Sequence, residues 1–181
     1  MSKRTMYDDV VTALRRSLRY DAVLTDQRSL EFHSGDALSP YRASHAPGSL
    51  WGTPSSVVMP RSTEETARIV TVANQHKTPI VPYGGGTGLM GAAVPRQGAI
   101  VVDLSLLNRI RSISVEDRVA WVESGVVLKD LDVALNQHGL MLGHDPYSVP
   151  IATVGGAIST NGVGYRAARY GSMGAQVLGL E

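Results

Sequence analysis

Apolar residues recur in two rhythms along this chain, and the change between them organises it. Between residues 5 and 19, Val10, Val11, Leu14 and Leu18 return at helical spacing while Arg15, Arg16 and Arg19 fall largely on the other side. This spacing predicts an amphipathic helix that packs on the domain through one face and leaves a basic face in water. Residues 33–56, "HSGDALSPYRASHAPGSLWGTPSS", have no rhythm and are rich in Gly, Ser, Pro and Ala, which predicts a loop or linker. From Val57 the punctuation turns regular. "VVMP" is a short β-rich run; "RSTEETARIVTVANQHK" follows with Ser62 or Thr63 able to cap a helix, Glu64 and Glu65 at its positive end, and Ile69, Val70 and Ala73 as its apolar stripe. Pro79 stops that helix and "PIVP" gives a second strand. "AIVVDL" at 99–104 gives a third, "RSISVEDRVAWVESG" two more around a Glu116-Asp117-Arg118 turn, and "VLKDLDVALNQHG" a second helix closed by Gly139. The architecture predicted from these residues is mixed α/β.

Between the second and third of these strands lies "VPYGGGTGLMG", where Gly86, Gly88 and Gly91 match the GxGxxG spacing of a dinucleotide fingerprint. A Rossmann loop, however, opens a helix at its last glycines, and the crossover needs at least about 10 to 12 residues to reach the next parallel strand. After Gly91 only "AAVPRQG" remains before Ala99, and Pro95 and Gly98 oppose a helix there. The one acid in range, Asp103, comes too soon for the ribose-binding acid expected about 20 residues on. The fingerprint is therefore a coincidence. A glycine loop that joins two strands without a helix can instead form a concave nest of N–H groups for phosphate oxygens, with no Cβ in the way; a merely tight turn needs fewer glycines. A second small-residue zone, "IATVGGAISTNGVG" at 151–164, offers Thr153, Ser159, Thr160 and Asn161 as polar groups. Two such surfaces suggest one extended ligand.

Composition narrows the partners. Seventeen basic against sixteen acidic residues give a net charge of +1, no footprint for nucleic acid or an anionic membrane. The chain contains no cysteine, which excludes disulfides, thiolate metal sites and cysteine nucleophiles. The N-terminus has no apolar core of a signal sequence, and no run reaches the about 18 apolar residues of a membrane span. The expectation is a soluble, cytoplasmic chain of 181 residues, with 43% hydrophobic and 18% charged residues, enough for one ordinary core.

Taken in order and spacing, "PRSTEETARIV", "PIVPYGGGTGLMGAAVP", "GAIVVDLSLLNRI", "ESGVVLKDLDVALNQHGL", "HDPYS", "ATVGGAISTNGVG" and "YGSMGAQVLGLE" resemble the FAD-binding (PCMH-type) domain of the vanillyl-alcohol oxidase and p-cresol methylhydroxylase superfamily. Within it the chain is similar to the glycolate oxidase subunit, D-lactate dehydrogenase and D-2-hydroxyglutarate dehydrogenase branch. The resemblance implies an α+β fold of two small α/β subdomains, with residues 1–56 an N-terminal helix and linker and 57–181 the FAD-binding domain. It implies FAD as cofactor: Pro82, Tyr83, Gly84, Gly85, Gly86, Thr87, Gly88 and Leu89 would wrap the pyrophosphate. Asp145, Pro146, Tyr147 and Ser148, with Ala152, Thr153, Gly155 and Gly156, would line the flavin. Ser159, Asn161, Gly162 and Gly164 would continue that wall.

The departures from the family pattern carry further expectations. Covalent members attach flavin through a histidine in the glycine loop, and "GGGTG" has none, so FAD should be held non-covalently. His138, just before Gly139, reads as a helix C-terminal residue favoured by the dipole, and His144 beside Asp145 as part of a structural loop. Arg166 and Arg169 suit either phosphate or a solvated turn. No catalytic residue and no metal ligand is assigned. Family enzymes continue into a substrate-cap domain that supplies the catalytic groups, whereas this chain stops at Glu181 inside what reads as a strand. The expectation is a C-terminally incomplete FAD-binding portion of a 2-hydroxy-acid dehydrogenase, inactive alone, or a non-catalytic nucleotide-binding fragment, or one piece of a split enzyme completed by a second chain.

Overall fold

The apolar runs around the glycine loop become the strands of one sheet in a computed structural model that describes residues 3–38 and 52–181, with side chains from Tyr7 onward. Most of the loop expected at 33–56 thus lies outside the described residues. The chain divides into two compact units, 1–106 and 107–181. No helix among the described residues is long and apolar enough to cross a membrane.

In the first unit, β1 (Val23–Leu24), β2 (Ser56–Val58), β3 (Ile80–Tyr83) and β4 (Ile100–Asp103) form a sheet ordered β1-β2-β4-β3, with β1 antiparallel and the other pairs parallel. Alternation along the strands explains its two faces. Val58, Ile100 and Val102 pack with Val10 and Leu14 of α1 (Lys3–Ser17) and Ile69, Val72 and Ala73 of α3 (Thr63–Gln75). Val57, Tyr83 and Val101 point the other way, onto Leu24, Met59, Val81, Ala93 and Leu30 of α2 (Gln27–Phe32). Of the two caps foreseen for α3, Ser62 is the one used: its hydroxyl accepts from the Glu65 N–H at 3.2 Å. Glu65 is buried rather than a free dipole partner, accepting from the Arg61 N–H and the Arg19 guanidinium. Between β3 and β4 the chain runs from Gly84 to Ala99 without a helix, as the sequence required.

The second unit starts with the hairpin β5 (Ile110–Ser114) and β6 (Val119–Val122), with Ser114 opposite Val119 and a register shift between Ile110 and Ser112. Arg118 takes a left-handed φ of 56° in the expected turn. Leu128, Leu131 and Leu135 of α4 (Leu128–Asn136) join Val126, Ala152, Val154, Ala157 and Met173 in its core. Gly139 follows with φ 71°, and the Leu140 N–H reaches back to the Leu135 carbonyl, closing α4 as foreseen.

"VGGAIS", from the small-residue zone at 151–164, forms the short helix α5 (Val154–Ser159) although glycine costs about 1 kcal/mol in a helix: Thr153 caps it, and Val154 and Ala157 are buried. One expectation is corrected. The terminal "VLGLE" is not a strand: no ladder partner for it exists among the described residues, and Leu178 and Leu180 face outward.

Candidate functional site

Tyr83 ends β3 opposite Asp103, the last residue of β4, so this pairing fixes both ends of the glycine loop's base. The Tyr83 ring is buried and folds back beneath the loop that follows it. Gly86 lies over it with φ 63°, and a Cβ there would collide with the phenol oxygen. Glycine is thus required twice at Gly86, by backbone and by space. Gly88 is different: it lies outside the left-handed region and a Cβ would meet nothing nearer than an Asp36 carboxylate oxygen at 3.4 Å. Among the described residues none of the backbone N–H groups from Gly84 to Met90 is spent on another protein group. Pro82 and Leu89 are exposed, and Gly84, Gly85 and Thr87 are half-buried. This is a row of donors unspent within the protein, which fits a pyrophosphate.

Sequence reasoning missed what lies under the loop. His33, just past α2 and assigned to the linker, is buried, and its two ring nitrogens face acceptors: the Ser29 carbonyl at 2.8 Å and the Asp103 carboxylate at 3.0 Å. Only an imidazolium donates to both. Burial alone would push its pKa down, but the hydrogen bonds to Asp103 and Ser29 outweigh it, and the value is raised. Asp103 shows the mirror image. Burial favours its neutral form, yet His33 and the Ser105 N–H at 2.8 Å hold its pKa below the ordinary carboxylate value. The Tyr83 ring stands edge-on to His33 at 4.8 Å; burial first, then the charges of Asp103 and Asp36, raise its phenol pKa. Tyr83 therefore stays neutral beneath the loop. The one available signal was a charged residue ending the apolar run "AIVVD"; nothing local pointed to His33.

In the second unit the predicted residues fall into two groups. Some are consumed by the fold. The Thr153 hydroxyl accepts from the Gly156 N–H at 3.3 Å as the cap of α5. Gly155 sits against Ser124, to whose carbonyl it donates at 2.7 Å, and a Cβ there would come to 2.7 Å of the Ser124 Cβ. Gly164 is packed on Asp145, whose carboxylate accepts from the Arg166 N–H at 2.7 Å and pairs with its guanidinium at 3.2 Å. Arg166 is thereby tied down, while Arg169 lies over the Tyr170 ring. Asn161, with φ 48°, accepts from the Gly174 N–H at 3.0 Å through its side-chain oxygen, which leaves the amide nitrogen as its donor.

The other group faces out: Tyr147, Gly156 and Ser159 are exposed, Pro146 and Ser148 half-buried, and Ala152 buried at the base. His138 lies two residues past α4, its N–H bonded to the Leu135 carbonyl. His144 is buried against Gly162, its Nδ1 has no hydrogen-bond partner in the protein, and burial lowers its pKa despite nearby Asp145. It is a neutral imidazole at neutral pH. Among the described residues no cluster of histidines and acids could hold a metal.

Known proteins give this arrangement its context. The model of the FAD binding domain matches residues 54–181. A glycolate oxidase subunit, GlcD, of Bacillus subtilis is 40% identical over 128 residues, covering 71% of this chain and 27% of that protein. A mitochondrial D-lactate dehydrogenase [cytochrome] of Arabidopsis thaliana is 34% identical over 173 residues, covering 96% and 29%. A solved alkyldihydroxyacetonephosphate synthase superposes with a TM-score of 0.80 at 26% identity, over 92% of this chain and 31% of that one. The chain thus spans under a third of each of these proteins' length. A glycine loop between two strands without a crossover helix and a family match over most of the chain agree: the protein belongs to the FAD binding domain family, and its cofactor is FAD.

Proposed function

We propose that this chain is the cofactor-holding part of an oxidoreductase acting on 2-hydroxy acids, with FAD held non-covalently. The observation that carries the reading is the N–H row of Gly84 to Met90, unspent in the fold. FAD, when bound, supplies the two-electron acceptor. In the first unit, Pro82 to Leu89 bind its pyrophosphate, with neutral Tyr83 and the His33–Asp103 pair bracing the loop from below. In the second, the exposed surface of Tyr147, Gly156, Ser159 and the Asn161 amide holds the flavin side, and the bonds of Asp145 to Arg166 and of Thr153 to Gly156 keep it rigid. The loop offers no histidine for attachment. The substrate class is supported by the glycolate and D-lactate enzymes among the relatives.

Neither buried histidine among the described residues is placed to serve as the substrate-side base. The buried histidines described here are one imidazolium locked in an ion pair and one neutral ring in a protein pocket, and general-base catalysis needs a group within about 3 Å of the substrate proton. The FAD-loaded chain should accordingly not reduce an artificial dye with glycolate, D-lactate or D-2-hydroxyglutarate. Dye reduction that depends on one of these acids and is lost in His144→Ala would overturn that assignment and place an active group on this chain.

A further inference from the structure

We propose that Asp36 is a cofactor-binding residue whose carboxylate accepts a hydrogen bond from a sugar hydroxyl of the bound dinucleotide beside the glycine loop; this rests on the reading that the loop holds FAD. The His33 pair anchors the chain leaving α2, and the next residues run along the loop. A Cβ at Gly88 would stand 3.4 Å from Asp36 Oδ2, and one at Gly91 3.4 Å from Leu38 Cδ2. Asp36 Oδ1 is engaged, accepting from the Leu38 N–H at 2.9 Å. Oδ2 is shielded from solvent and has no partner in the protein. Asp103, below it, has both oxygens in use, one with His33 and the other with the Ser105 N–H.

A covered acceptor without a donor is unfavourable, more so when it carries charge. The open side of Gly88 is where that donor must come from. A phosphate brings negative charge and no proton, so it is repelled by this oxygen. A hydroxyl brings a proton without charge, and a dinucleotide carries hydroxyls on either side of its pyrophosphate, on the ribose and on the ribityl chain. With N–H donors for phosphate on the loop and an acceptor for a hydroxyl at Asp36, the surface has the polarity order of a sugar phosphate.

The test titrates the full chain, as wild type, Asp36→Ala and Asp36→Asn, with FAD, with FAD analogues each lacking one ribose or ribityl hydroxyl, and with inorganic pyrophosphate. Asp36→Ala should weaken FAD about 10- to 100-fold, the worth of one hydrogen bond to a charged group. Asp36→Asn, which keeps the acceptor for the Leu38 N–H, should fall between. One analogue should bind wild type and Asp36→Ala within about twofold, and its missing hydroxyl tells ribose from ribityl. Pyrophosphate should bind Asp36→Ala at least as tightly as wild type. Unchanged or tighter FAD binding by Asp36→Ala overturns the proposal, as does a loss that persists with every analogue. If Asp36→Ala fails to fold, as judged by circular dichroism, Asp36→Asn decides: FAD affinity equal to wild type overturns the assignment. A wild-type chain that does not bind FAD at all would instead sink the reading of the loop and this inference with it.

Discussion

Replacing Gly86 and Gly88 by alanine, one at a time, separates what the loop does for the fold from what it does for the cofactor. At Gly86, alanine has to hold φ near 63°, which costs about 1–2 kcal/mol for an L-residue. Its Cβ also displaces the Tyr83 ring, with Cζ only 2.8 Å away. That ring is buried and packs on His33 and Phe32, so partial loss of the packing adds about 1–2 kcal/mol. The sum, about 2–4 kcal/mol, is a large share of the stability of a small unit. At Gly88 neither penalty applies, and Gly88→Ala should change stability by less than about 0.5 kcal/mol. Yet its methyl group would stand 3.4 Å from Asp36 Oδ2, in the space the cofactor is proposed to enter, and should weaken FAD by at least about tenfold by blocking close approach. Urea unfolding followed by circular dichroism gives the first quantity, and an FAD fluorescence titration the second. A Gly88→Ala protein as stable as wild type that binds FAD equally well would refute the placement of the phosphates on this loop.

Two further outcomes follow from the charges. His33, with its pKa raised above 6.5, stabilises fully below that pH and loses its contribution as pH rises through the folded value; Asp103, lowered from 3.8, contributes above that pH and loses it as pH falls through its own. His33→Gln should therefore cost about 3 kcal/mol at pH 5.5, and the gap from wild type should narrow at pH 9; a gap constant across that range contradicts the ion pair. Glu123 has its pKa brought down to about 2, first by the Arg109 side chain and also by the Arg109 N–H and by Arg111. Its contribution is present above pH 4.5 and disappears as pH falls through about 2. Both guanidinium groups face solvent, so Glu123→Gln should cost only about 1 kcal/mol at neutral pH, less in high salt; a salt-independent loss of several kcal/mol in urea unfolding would contradict this.

What the sequence made legible is what is written locally. The helix at Thr63, its serine cap, the strands before and after the glycines, and the missing crossover helix that excludes a Rossmann loop all depend on residues within one or two turns of each other. The support beneath the loop does not. His33 meets Asp103 across seventy positions, and nothing in "SLEFHSGD" signals burial, because a histidine followed by serine, glycine and aspartate looks like surface. Asp36 is hidden in the same way. Thr153 and Asp145, read by resemblance as lining the cofactor, show their hydrogen bonds to Gly156 and Arg166 only once the chain has folded. "VLGLE" shows the opposite failure: strand composition without a neighbour to pair with remains irregular.

What the purified chain binds, and how it releases it, tests the cofactor assignment most directly. Titrated with FAD and with NAD under one set of conditions, the chain should bind FAD with the higher affinity, and acid precipitation should release the flavin entirely into the supernatant. NAD bound as tightly as FAD, or flavin fluorescence left on the denatured polypeptide, would contradict it.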